Sequence, residues 1–253
     1  MSLDACAALV ERGDPDRFLA TMAAPPEARA RLFPIYAFNV EVARAPWATE
    51  QPLIAEMRLQ WWRDALEEIA EGRPVRRHEV TEPLAEALDP EGARVLAAAV
   101  AARRWDAYRE PFADQAALDA YLEDTAGALL WAAARALGAR EGEAAVRGAG
   151  FAQGLANWLR AIPALEARGL RPLVDGRPEA VASLARRGLG RLAEARATGA
   201  PREARPAMLA VWRAESVLRR AAAEPRRVAE GRLEGSEFAR RGALLLRAAT
   251  GRW

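Results

Sequence analysis

LIAEMRLQWWRDALEEIAEG, residues 53–72, reads as one long amphipathic helix, stopped by Gly72 and Pro74. Working outward from it, the punctuation marks one helix after another. Asp14-Pro15 pairs a capping residue with proline at the first helical position and opens a short helix through Met22. Pro25-Pro26 open the next, ARARLFPIYAFNVEVARAP, where Pro34 is expected to kink the axis. Pro46 and Pro52 bracket a break. Downstream, residues 81–88 form a short helix. PEGARVLAAAVAARRWDAYRE from Pro90, DQAALDAYLEDTAGALLWAAARALG from Asp114 and a segment at about 142–162 give three more. Residues 164–180 form the longest break, and helices near 179–197, 203–222 and 236–249 finish the chain.

The composition agrees with that pattern. Of 253 residues, 62 are alanine, valine and isoleucine are sparse, and no run alternates over strand length. Small alanine faces let helix axes approach closely. The expected fold class is therefore all-α: a single-domain helical bundle over 1–253 with nine or ten helices. One cysteine, Cys6, excludes an internal disulfide framework, and the lone His78 excludes a histidine-rich metal centre. His78 itself reads as an exposed loop residue. The start, MSLDACAALVERGD, lacks the pattern of a signal peptide, and no stretch is long and apolar enough to span a bilayer. The expected location is cytoplasmic, or peripheral on the inner membrane.

Charge is unevenly spread. Residues 1–159 hold 17 Arg against 25 acids, whereas residues 160–253 hold 20 Arg against 10 acids, so a net −8 and a net +10 sum to +2. A basic half of this kind suits an anionic membrane surface, an acidic partner, or the acidic half of its own fold. Nucleic acid is not expected as a partner: the arginines occur in short pairs such as Arg186-Arg187 and Arg240-Arg241, with few aromatics between them.

Three stretches, in order, resemble the squalene/phytoene synthase family of head-to-head prenyl transferases. They are RFLATMAAPPEARARLFPIYAFNVEVARAP followed by LQWWRDALEEI, then LDAYLEDTAGALLWAAARALG, then GAGFAQGLANWLRAIPALEARGLRPLV. The resemblance implies an isoprenoid (trans-prenyl) synthase bundle with a central cavity. It also implies two Asp-x-x-x-Asp faces, whose carboxylates bridge magnesium to the diphosphates of two substrates.

Residue by residue, those acids are missing. The first pattern falls on Ala43, Arg44 and Trp47, and the second on Ala161, Ala164 and Leu165, with Pro163 inside it. An arginine there repels magnesium, although it takes an anion directly. Acid pairs at spacing four occur elsewhere, at Asp64/Glu68, Asp106/Glu110 and Asp119/Glu123, on what read as solvated helix faces. What remains is a cavity framework: Tyr36, Phe38 and Asn39 on one helix, Arg58, Gln60, Trp61 and Arg63 on the next, and Gln153, Asn157 and Arg160 on a later one. Trp61 and its neighbour Trp62 are not expected to face the same way.

RLQWWRDAL, with the absent acids, resembles a degenerate branch of the family associated with assembly of respiratory complex I, which includes a mitochondrial assembly factor. The leading expectation is a non-catalytic assembly or interaction factor with a protein partner, an isoprenoid or lipid ligand, and no cofactor. The alternative is an active prenyl transferase with carboxylates rearranged among Glu41, Glu56, Asp64, Glu123 or Asp124, which alone would require magnesium. A third class is a peripheral lipid-binding module driven by the basic half.

Overall fold

The computed structural model describes residues 3–253, and no strand occurs among them. Helices α1 (Leu3–Gly13), α2 (Pro15–Met22) and α3 (Pro26–Arg44) lead through a tight turn at Ala45–Trp47 into α4 (Pro52–Ala70). Then come α5 (Thr81–Ala87), α6 (Pro90–Ala102), α7 (Arg104–Tyr108) and α8 (Gln115–Leu122). A π-turn at Glu123–Gly127 joins α8 to α9 (Ala128–Ala136). The long α10 (Glu143–Glu166) and α11 (Pro178–Thr198) follow. Short pieces, α12 (Arg205–Met208), α13 (Ala214–Ala223) and α14 (Arg226–Ala229), precede α15 (Glu237–Thr250).

Proline and capping residues start these helices as the sequence leads one to expect. Asp14 accepts the Arg17 amide at 3.0 Å and Asp89 that of Gly92 at 2.7 Å, so each satisfies one orphan donor of the first turn. Neither internal proline ends its helix: α3 runs through Pro34, and α10 continues past Pro163 to Glu166. Around Pro34 the helix is buried nearly all round, from Leu32 to Phe38, so packing holds the segment although proline removes a hydrogen bond. The segment expected as one helix at 203–222 is broken instead, with tight turns at Arg202–Ala204 and Leu209–Val211 flanking the α12 that carries Pro206.

The π-turn has a packing reason. α10 lies against it through two glycines, and a Cβ at Gly150 would stand 2.8 Å from the Ala126 carbonyl oxygen and 2.9 Å from the Gly127 Cα. At Gly154 a Cβ would meet that of Ala126 at 2.5 Å. TAGAL and GAGFAQG are thus two halves of one close backbone contact, which sets the position of every polar group on α10. Buried apolar residues from α1 through α15 join in one cluster, in which Tyr36, Phe38 and Phe151 are among the largest fully enclosed side chains.

Candidate functional site

The expected central cavity is nearly closed. Arg17, Tyr36, Gly150 and Gln153 surround a space of about 10 Å³ at most, room for no more than a water molecule and none for an isoprenoid chain. Aromatic and leucine side chains fill the interior instead. Tyr36 Oη and Gln153 Oε1 are buried without a hydrogen-bond partner among the described residues, and burial pushes the Tyr36 hydroxyl up to about 12.

The cavity framework inferred from sequence therefore divides among five places. Tyr36 and Gln153 line the closed centre, and Phe38 is core, its ring 5.4 Å from that of Trp62. Asn39, beside it, is half-buried. Gln60 and Arg63 point away from the centre into shallow spaces between α4 and α6. Asn157 and Arg160 belong to a polar knot. Arg58 and Trp61 line an open groove.

That groove, of about 630 Å³, lies between the end of α3 and the outer face of α4, a size ordinary for small-molecule sites. Ile54, Met57, Trp61 and Trp62 give it an apolar wall, and Glu41, Arg44, Arg58 and His78 supply charge and polarity. Trp61 and Trp62 both border it, but they face differently, as expected: Trp62 is buried in the core and Trp61 only partly so. Their rings meet edge to face at 4.9 Å, and the His78 ring stands 5.4 and 5.2 Å from them. His78 is consequently half-buried rather than an exposed loop residue. Its Nδ1 accepts the Val80 amide at 3.2 Å. Arg76 braces the wall from behind, over the Trp61 ring at 5.1 Å, donating to the Trp61 carbonyl at 3.1 Å and to Glu68 at 2.8 Å.

Trp47 joins the segments that carry the two expected metal faces. Its indole contacts the guanidinium groups of Arg109, 4.9 Å from the ring centroid, and Arg168, 5.0 Å away, the latter three residues beyond Leu165. Arg109, at positive φ (59°), also reaches the Pro46 and Thr49 carbonyls at 3.4 Å. Each cation–π contact contributes about 0.5–2 kcal/mol. Around it, Ala43 and Ala161 are half-buried, Arg44 and Ala164 exposed, and Leu165 buried. This donor set does not fit magnesium, a hard cation that requires oxygen ligands, because the six positions hold three methyl groups, an isobutyl, an indole and a guanidinium. Among the described residues no three Asp, Glu, His or Cys side chains converge as a metal site.

Most of the other acids are already engaged. Asp64 and Glu68 pair with Arg76 at 3.5 and 2.8 Å, and Asp119 and Glu123 pair with Arg187 and Arg191 of α11 at 2.8 and 2.7 Å. Glu56 pairs with Arg104. Asp106, expected on a solvated face, is buried: Tyr121 Oη donates to it at 2.9 Å and Arg103 at 3.1 Å. Burial pushes its carboxyl above the usual range against the pull of Arg103. Glu41 lies in the groove, and Asp124 is exposed.

The polar knot was invisible in the sequence because its members lie up to 224 residues apart. Asp16 accepts from Arg160 at 3.1 Å, from Arg240 at 2.9 Å and from Arg213, while Glu234 pairs with Arg160 at 2.7 Å and with Arg213. Arg160 also donates to Asn157 Oδ1 at 3.2 Å, and Asn157 accepts from Gln153 at 3.1 Å. Burial pushes Asp16 up, but Arg213, Arg160 and Arg240 outweigh it and hold the carboxyl below its ordinary value.

Comparison with known proteins adds relatives to this geometry. The squalene/phytoene synthase family profile matches residues 10–173. A Drosophila melanogaster protein, the NADH dehydrogenase (ubiquinone) complex I, assembly factor 6 homolog, is 34% identical over 166 residues, 62% of this chain and 50% of that protein. The Homo sapiens complex I assembly factor 6 is 28% identical over 172 residues, 62% of this chain and 48% of its own. The chain thus spans about half the length of the curated relatives it matches. The crystal structure of a dehydrosqualene synthase in complex with ligand shares the fold, with a TM-score of 0.79 at 15% identity over 98% of this chain and 95% of that one.

Proposed function

The chain belongs to the squalene/phytoene synthase family, and we propose that it is a non-catalytic member, an assembly factor serving respiratory complex I through a protein partner. The observation that carries this reading is the Trp47 clamp. Where two acidic faces would grip magnesium diphosphate, an indole carries two guanidinium groups over its ring. Without carboxylates there, a leaving diphosphate has no metal to draw it off, and condensation of two prenyl diphosphates has no route. The relatives named as complex I assembly factor 6 support the assembly role. The α3–α4 groove is proposed to take an isoprenoid or lipid: its aromatic wall suits a chain, and Arg44 and Arg58, neither ion-paired among the described residues, suit an anionic end.

Incubation of the purified protein with farnesyl or geranylgeranyl diphosphate, magnesium and a reductant is expected to yield no condensed product, and turnover would overturn the reading. A deletion strain is expected to lose assembled complex I while keeping its carotenoid and hopanoid content. The reverse outcome assigns the protein to synthesis.

A further inference from the structure

The outward face of α15 is its apolar one. Successive residues turn by about 100°, so Arg240, Leu244 and Arg247 share one face, while Phe238, Gly242, Leu245 and Ala249 share the opposite one. The first face points inward: Leu244 is buried, Arg240 donates to Asp16 at 2.9 Å, and Arg247 lies 3.5 Å from Glu215. The second faces solvent, with Phe238 91%, Leu245 68% and Leu246 65% exposed. A surface helix ordinarily buries its apolar stripe and presents its charges. Here ion pairs fasten the helix to the bundle.

At its C-terminal end the stripe runs into an open groove of about 740 Å³. Leu246 lines it with Arg196, Arg205, Arg247 and Arg252, beside the side-chain carboxylate of Glu215. These cations crowd one another: burial, and then the charge of Arg196, hold the Arg247 guanidinium below its usual range. Arg205 and Arg252 have no ion-pair partner among the described residues.

We propose that α15 and this groove form a docking surface for an anionic phospholipid bilayer. Phe238, Leu245 and Leu246 enter the acyl boundary, and the groove arginines take headgroup phosphates. Phenylalanine and leucine along a helix lying flat, with arginines beside and beyond them, match the chemistry of interfacial helices. The cation surplus selects an anionic surface. Among the described residues no helix is long and apolar enough to cross a membrane, so the contact made by α15 is peripheral. The surface shares no residue with the α3–α4 groove, and it does not depend on the assembly reading.

Flotation of the full chain tests this with two vesicle types, phosphatidylcholine alone and an equal mixture of phosphatidylcholine and phosphatidylglycerol. The protein is expected to float with the mixed vesicles, less with the neutral ones, and less again as salt rises. The double variant Phe238→Ser/Leu245→Ser should lose about tenfold or more of the partitioning, since each removes a large apolar side chain from the lipid phase. Leu53→Ser, at a comparably exposed leucine (69%) on α4, should leave it unchanged. Arg205→Gln/Arg252→Gln should abolish the preference for phosphatidylglycerol and leave neutral-vesicle binding alone. Equal flotation of wild type and the double serine variant overturns the proposal, as does an equal loss in Leu53→Ser. A dimer in solution that those serines disrupt, without vesicle binding, assigns the stripe to a second copy and also overturns it.

Discussion

Gly150→Ala isolates the contact that seats α10, the helix bearing Gln153, Asn157 and Arg160. The new Cβ would stand 2.8 Å from the Ala126 carbonyl oxygen, 2.9 Å from the Gly127 Cα and 3.1 Å from the Leu130 Cβ. Carbon atoms rest about 3.5–4.0 Å apart, and two of these three neighbours are main chain, which no rotamer change moves aside. The substitution therefore belongs at the upper end of overpacking costs, about 3 kcal/mol, offset by about 1 kcal/mol of better helix propensity. A net loss of about 2 kcal/mol follows. Gly190→Ala is the control: it lies within α11, nothing stands within 4 Å of its added Cβ, and only the propensity gain of about 1 kcal/mol remains. With a urea dependence of about 2 kcal/mol per molar, the midpoint should fall by about 1 M in the first variant and rise by about 0.5 M in the second. A Gly150→Ala midpoint at or above wild type would refute the close-packing account of TAGAL and GAGFAQG.

Three further outcomes are expected. Asp16 and Glu234, held below their ordinary values of 3.8 and 4.5, stabilise the fold above that range, and this contribution is lost as pH falls through it toward the lowered folded-state values. Urea midpoints measured between pH 6 and pH 3, about the span of that loss, should drop less steeply in Asp16→Asn than in wild type. Arg213→Met removes the buried cation shared by both carboxylates and leaves them to Arg160 and Arg240, which should cost about 2 kcal/mol by chemical denaturation; a loss of a few tenths would show the knot to be a weak surface cluster. Cys6, whose thiol is pushed up to about 11 by burial and then by Glu79, should resist iodoacetamide near neutral pH until the protein is unfolded, and labelling of the native chain would place it outside the core.

Most of the fold was legible because its signals are local. Asp14-Pro15, Pro90 and Gly72 bound helices through capping and φ constraints that a few residues express by themselves. The π-turn was not legible, because Glu123–Gly127 departs from a regular helix where it meets glycines of another segment. The site was legible as an absence of acids but not as a geometry. Trp47 reads as a position without a carboxylate, and only the fold brings Arg109 and Arg168 to its ring. The central cavity was inferred from resemblance, which carries topology and not side-chain volume: Tyr36, Phe38 and Phe151 occupy the interior of this chain. The differing directions of Trp61 and Trp62 were legible from the roughly 100° between neighbouring helical positions: Trp62 is buried in the core, and Trp61 meets it edge to face at the groove.

The charge asymmetry between the two halves has two consequences that the structure separates. Much of it is satisfied internally: Asp16 draws Arg160, Arg213 and Arg240, Asp119 draws Arg187, and Glu123 draws Arg191, every pair joining the acidic half to the basic one. Arginines engaged in this way are partly neutralised and desolvated, so they contribute little to attraction at long range. Of the arginines of the basic half left without an ion pair among the described residues, Arg205 and Arg252 share one groove with Arg196 and Arg247 beside Glu215, while Arg168, Arg171, Arg186, Arg202, Arg220 and Arg226 lie elsewhere. Salt-sensitive binding to an anionic surface should therefore respond to substitution at that groove and not at Arg187 or Arg191, although all of these carry the same formal charge. A uniform response across all of them would mean that net charge, rather than its placement at the end of α15, governs the attraction.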